Sequence, residues 1–324
     1  MRWFLIFGCW LLASAVWPPA SSAQLPEYRP PEPGPVVVAI VNQEPIYLAE
    51  VHRYLRRLPT TNEENLKAGE RPALEALIQR QFVLEYLLRR GFVSAAVIDA
   101  RVERRRAELA KRDERLETIC EEQGITETAL RRAIAWNIAW PNYLGKHLDH
   151  KRLQRYFNDH RAHFDGGNRD VAHILWKVDV SLTAQQREEL LQTAIEVRQK
   201  IEDEEITFAD AASEYSSGPS ATTGGELGSI DRDGPMTEIF SAAAFDLEPG
   251  EVSGPVVDAF GVHLIRCLHA EPGKRKLKEV RSKVEQAARA ELFAALARRA
   301  SKNAQVETTG VIKLGNDSPR PSDE

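Results

Sequence analysis

The apolar positions of this chain change their spacing several times, and each change marks an element. Val36 to Val41 is a short β-branched run that reads as a strand, closed by a turn over Asn42-Gln43-Glu44-Pro45. Apolar residues then recur at helical spacing from Leu48 through Val51, Tyr54 and Leu58, and polar residues 59–69 break the pattern. Pro72 is expected to open a helix containing Leu74, Leu77, Ile78, Phe82 and Leu84, with Gly91 as its stop. Ser94 is placed to cap a long charged helix reaching Gln123, and Thr126 one through Leu144 that Pro141 should kink. Charge runs such as Arg101 to Arg106 read as solvated helix surface.

After Phe164 the texture changes. Residues 165–168 form a Gly-rich linker, and Val171 to Val178 reads as a strand. A helix over Gln185 to Ile201 starts at Thr183, and a shorter one holds Phe208, Ala211, Ala212 and Tyr215. A Ser/Gly/Thr loop follows to Gly225, then a short helix near Met236 to Phe245 and strands at Val256-Val257 and Val262 to Cys267. Helical spacing returns from Lys276 to Gln305. Few strands among many helices imply an α+β class.

The ends add a destination. Arg2 precedes an apolar run from Trp3 to Trp17, and small residues stand before Gln24. This is the layout of a secretory signal at residues 1–23, and the run falls short of the roughly 20 apolar residues of a membrane span. An exported, periplasmic or cell-envelope protein is expected, with an N-terminal membrane anchor as the alternative if the segment is retained. Residues 24–35 are a Pro-rich leader, and an unstructured tail is expected over 307–324. Acids and bases are interspersed, 48 against 43, so no nucleic-acid partner is implied. Cys120 and Cys267 lie far apart in no metal-type spacing and read as small buried hydrophobes, with pairing as the alternative.

Between Asp170 and Leu268 the chain resembles the parvulin (PpiC, or rotamase) family of peptidyl-prolyl cis/trans isomerases. The resemblance is carried by Ala172-His173-Ile174-Leu175, Phe208 to Ala212, Gly224-Gly225-Glu226-Leu227-Gly228, Met236, Phe240, Phe245, Gly250 to Val256 and Gly261-Val262-His263-Leu264-Ile265. It implies a four-stranded antiparallel sheet wrapped by helices over 166–270. The flanks are similar to those of exported SurA- and PrsA-type foldases. That likeness implies a mainly helical chaperone arm over 36–165 and a C-terminal helix, 271–306, packing on the arm.

The resemblance also implies site residues. Leu227, Met236 and Phe240 would line an apolar slot for a prolyl ring, with Phe260 and Ser217 beside it. His173 and His263 would sit together at the site, as the catalytic pair or, in the alternative, as supports that fix its shape and polarity; each lies in an apolar strand where an unpaired imidazole is costly. Two positions depart from the family pattern. Gly218 stands where many parvulins carry Cys or Asp after the Tyr215-Ser216 that ends the second helix, and Asp258 where a small hydroxyl residue is common. The implied function is isomerisation of X-Pro bonds in unfolded or extended polypeptides. The alternative is a catalytically weak or inactive chaperone of the same fold, which Gly218 favours. No cofactor or metal is expected: His147 with His150 and His160 with His163 have the spacing to share one, but they read as charged helix surface. The chain also lacks a Gly-x-Ser-x-Gly elbow and a phosphate loop.

Overall fold

The computed structural model describes residues 35–58, 66–178 and 183–313. These divide into two compact units, His150–Ala288 and the remainder up to Asp149 together with Arg289 onward. The expected signal segment and most of the leader lie outside the described residues.

The first unit in chain order opens on a hairpin, β1 (Val37–Val41) and β2 (Glu44–Tyr47), paired Val41 to Glu44 and Ile40 to Pro45. Asn42 and Gln43 take φ of 47° and 73°, the positive values that a tight two-residue hairpin needs. The turn is therefore two residues long, and Glu44-Pro45 belongs to a second strand. Pro45 is tolerated because β2 is an edge strand. Helices α1 (Leu48–Leu55) and α2 (Leu66–Arg89) bury Val51, Leu55, Leu74 and Ile78 against β1. Pro72 lies inside α2 rather than at its start, because Leu66 already packs on that core.

The long helix expected from Ser94 to Gln123 is two helices, α3 (Ala95–Ala110) and α4 (Leu116–Glu122). Asp113 at φ 59° turns the chain between them. The break lets Leu109 and Leu116, each 1% exposed, enter one core with Tyr47, Val102 and Cys120. Helix α5 (Glu127–His147) is capped by Thr126, whose hydroxyl accepts from the Ala129 amide, and it runs through Pro141. Arg132 on α5 pairs with Glu44 at 2.8 Å and with Glu50 at 3.3 Å, tying the helix to the hairpin.

The second unit begins with α6 (His150–Asp159), which buries Leu153 and Phe157. It continues through β3 (Asn168–Lys177), α7 (Ala184–Glu202), α8 (Phe208–Tyr215), β4 (Glu226–Asp231), α9 (Glu238–Phe245), β5 (Val256–Val257) and β6 (Gly261–Glu271). Its sheet is antiparallel throughout, in the order β4-β3-β6-β5. Alternation along β3 and β6 divides the sheet into two faces. Ala172, Ile174, Trp176, Val262 and Leu264 pack with α7 and α8 residues such as Val197, Phe208 and Ala212. Val171, Ile265 and Val256 pack on the other face with Phe240, Ala244 and Phe245 of α9.

This unit is longer at both ends than the expected 166–270. Asp165 is 2% exposed; its carboxylate accepts from the Gly167 amide and its carbonyl from the Arg275 amide. The entering and leaving strands are thus stitched together beyond the sheet. Helix α10 (Leu277–Ala300) gives its residues up to Ala288 to this unit and the rest to the other.

In that other unit Phe293 stands edge-on to Trp136 and Trp140, at 6.1 and 5.8 Å. A last strand, β7 (Val306–Thr308), pairs with β1, so the sheet order is β2-β1-β7. Thr309 donates to the Val37 carbonyl, and Ile312 is 4% exposed in the hairpin's core. Residues 307–313 are therefore ordered where an unstructured tail was expected, because β1 offers them an open edge. Residues 314–324 lie outside the described residues.

Candidate active site

The α9 face of the sheet gathers buried polar groups, His173 and His263 among them. His173 on β3 pairs in register with Ile265, and His263 on β6 with Leu175, so the two imidazoles are diagonal neighbours on one face. Their Nδ1 atoms lie 3.3 Å apart, and the residues are 7% and 3% exposed. Phe240 closes over both rings edge-on, with centroid distances of 5.9 Å to His173 and 5.4 Å to His263.

Asp258 completes the arrangement. It lies just before β6, where the short β5–β6 connection folds it back onto His263 five residues later. His263 Nε2 donates to Asp258 Oδ1 at 2.9 Å, and the Phe260 amide donates to the same oxygen at 2.8 Å. Thr237 Oγ1 donates to Asp258 Oδ2 at 2.7 Å. The same Thr237 oxygen accepts from the Phe240 amide at 3.1 Å and so caps α9. The Asp258 side chain is only 2% exposed. Burial works to raise its carboxyl, but Thr237, the Phe260 amide and His263 outweigh this and hold it below the usual carboxylate range.

His173 is held neutral. Burial, reinforced by the neighbouring His263 and opposed by Asp258, pushes its imidazole down to about 4. Its Nε2 has no hydrogen-bond partner among the described residues. It faces Gly218, where an added Cβ would stand 3.3 Å from Nε2. The loop bearing Gly218 is held by Ser216, whose hydroxyl accepts from the Leu175 and Gly218 amides at 3.1 and 3.2 Å. Gly225 bounds the same loop at φ 82°, and an added Cβ there would meet the His173 carbonyl oxygen at 2.4 Å. Only glycine permits that approach.

The structure thus brings His173, His263 and Phe240 into contact. Leu227 and Met236 are half-buried against the same cluster as Phe240. Phe260 is 63% exposed, and its amide is the group that donates to Asp258. Ser217 is exposed, and its amide donates to the Leu175 carbonyl; the serine hydroxyl that fastens the loop is that of Ser216. Sequence reasoning marked Asp258 only as a departure and passed over Thr237 and Ser216. Thr237, three residues before Phe240 at the head of an apolar run, carries a capping signal that locates it.

The paired histidines outside this site are engaged otherwise. His147 stacks on Tyr143 at 4.2 Å and His160 on Tyr156 at 4.2 Å. His163 bonds Asp246 at 2.7 Å and accepts from Arg232 at 3.2 Å, while His150 lies 3.4 Å from Arg281. Among the described residues no group of three His, Cys, Asp or Glu side chains could hold a metal ion. Cys120 and Cys267 are both buried and free. No described helix is long and apolar enough to cross a membrane.

Residues 173–269 match the rotamase family model, a PPIC-type PPIASE domain. Foldase protein PrsA of Bacillus subtilis (strain 168) is 46% identical over 94 residues, 28% of this chain and 32% of that protein. Chaperone SurA of Aromatoleum aromaticum is 25% identical over 267 residues, 76% of this chain and 60% of that protein. The chain thus spans less than two thirds of the length of either relative. Among solved structures, the peptidylprolyl isomerase PrsA from Bacillus anthracis aligns with 75% of this chain and 99% of its own, at 19% identity and a TM-score of 0.31.

Proposed function

We propose that this chain, which carries a parvulin-type rotamase domain on SurA- and PrsA-like helical flanks, isomerises X-Pro peptide bonds in extended polypeptides and so assists the folding of exported proteins. The observation that carries the reading is the His173–His263 pair buried beneath Phe240, inside the segment that matches the rotamase model.

Rotation about an X-Pro bond breaks amide resonance but no covalent bond, so neither a nucleophile nor a metal is required. Planar peptide bonds resist this with a barrier of about 18–20 kcal/mol, and uncatalysed isomerisation takes tens to hundreds of seconds. A catalyst must seat the prolyl ring and favour the twisted amide over both planar forms. Leu227, Met236 and Phe240 supply an apolar seat without hydrogen bonds of their own to satisfy, and exposed Phe260 is the further aromatic contact we assign to the client. Ser217 on the neighbouring loop is the polar contact we assign to the peptide backbone. The buried histidines beneath, with His173 held neutral, are suited to fixing the polarity of the seat. In this reading they are not proton carriers: His173 is uncharged at neutral pH.

The clients are proline-containing unfolded chains of an exported compartment, periplasmic or cell-envelope. The helical flanks serve to hold them, as the names of the foldase and chaperone relatives suggest. The test is a proline-limited refolding assay with a short X-Pro peptide assay beside it. Acceleration of both slow phases by catalytic amounts is expected. Peptide binding without acceleration would favour the inactive-chaperone reading that Gly218 suggests.

A further inference from the structure

Gly218 and Asp258 stand at opposite ends of the histidine pair, and both depart from the pattern of the family that the chain resembles. At one end the acid or thiol is missing, and Gly218 covers the unpartnered Nε2 of His173. At the other end a carboxylate stands in place of a small hydroxyl, and it accepts from His263 Nε2, the Phe260 amide and Thr237 Oγ1.

The protons in the chain follow from the groups available. An ionised carboxylate only accepts, so the hydrogen on His263 Nε2 faces Asp258. His173 Nε2 has no acceptor for a hydrogen, so that ring's hydrogen sits on Nδ1 and points to His263 Nδ1, which accepts it. His173 Nε2 keeps its lone pair and finds no donor. Every donor in the chain therefore points toward Asp258. An acid at position 218 would stand beside His173 Nε2 and draw the hydrogens the other way: His173 Nε2–H to the acid, His263 Nδ1–H across the pair, and a hydroxyl at 258 donating to His263 Nε2.

We infer that the acid of this site has moved from position 218 to position 258, and that Asp258 is a positioning residue fixing the tautomers of both histidines. The hydrogen-bond chain beneath the slot thus runs in the opposite sense from that of a site with its acid at 218. Thr237 extends the effect to the slot. Its hydroxyl donates to Asp258 and accepts from the Phe240 amide, so one group joins the acid to the helix end carrying the ring that covers both imidazoles.

The kinetic part of this inference rests on the proposed isomerase activity; the tautomer part does not. The test uses the full chain with nitrogen-15-labelled histidine, whose NMR shifts report which ring nitrogen carries hydrogen. In the parent, His263 should carry it on Nε2 and His173 on Nδ1. In the double variant Gly218→Asp with Asp258→Thr, both assignments should exchange. With an X-Pro peptide, Asp258→Thr alone should lose about tenfold or more in kcat/KM, about 1.4 kcal/mol of barrier, and the double variant should regain most of it. The isosteric Asp258→Asn, folded by amide exchange, should lose activity alongside Asp258→Thr. The opposite tautomers in the parent, identical tautomers in parent and double variant, or a double variant no faster than Asp258→Thr would each overturn the inference. A parent chain that isomerises nothing defeats the functional reading, and the tautomers alone then decide where the acid sits.

Discussion

Acid should loosen the sheet that carries the two histidines, and His173 supplies the magnitude. Its imidazole titrates near 4 in the folded chain against 6.5 when unfolded. Between those values the unfolded chain binds a proton that the folded chain refuses, so stability falls as pH is lowered from 6.5 toward 4 and is flat above 6.5. At about 1.4 kcal/mol per unit, the full shift amounts to roughly 3 kcal/mol, less whatever solvent reaching the ring screens. At pH 5 about 2 kcal/mol of it should already be lost. Asp258, depressed from 3.8, adds its own loss only below that value, so the two windows separate. Hydrogen–deuterium exchange of the β3 and β6 peptides in low urea, from pH 7 to 4.5, reads the local opening free energy. The control is His173→Asn, whose amide can replace the Nδ1 donor but cannot titrate. The parent should lose protection across this range and the variant should lose much less. Parallel losses in the two proteins would refute the assignment of this acid sensitivity to His173.

Three further outcomes are expected. Phe240→Ala, which empties a position 3% exposed, should cost about 3–5 kcal/mol in urea unfolding and abolish X-Pro peptide turnover; Phe240→Leu should keep most of the stability while weakening peptide binding by titration. Gly218→Asp places a carboxylate beside an unpartnered imidazole nitrogen, so NMR titration should find His173 protonating well above pH 4, and an unmoved titration would show that the new side chain turns away. Ending the chain at Ala288 removes Phe293 from Trp136 and Trp140 and β7 from β1, so exchange in α5 and β1 should quicken while that in β3 and β6 holds.

The elements that were legible in the sequence are those with a local physical signature. Ser94, Thr126 and Thr183 stand where a hydroxyl can accept from the helix's third amide, and each does so. The strands at β3 and β6 carry apolar runs long enough to read. What escaped was decided by partners remote in sequence. Strand β7 exposes all three of its residues and shows no alternation; it is a strand because β1 has a free edge for it. The α3–α4 break depends on Leu109 and Leu116 reaching the same core, a choice invisible to helical periodicity that continues through both. Pro45 argued against a strand locally, yet an edge position removes the objection.

The site shows the same division more sharply. His173 and His263 were found through the pattern around them, but alternation alone does not tell which face they share, because both faces of β3 and β6 are apolar and buried. Asp258 looks like an ordinary turn acid in Val257-Asp258-Ala259-Phe260-Gly261, and nothing in that string shows that its carboxylate is buried. Its meaning appears only when three groups from two elements and one loop converge on it, while Gly218 across the pair offers nothing. A position that departs from a family's pattern is weak evidence for lost chemistry when taken singly. Two departures that flank the same pair of rings, one removing a charge and one adding it, are coupled by geometry, and the absence at Gly218 has to be weighed together with the carboxylate at Asp258.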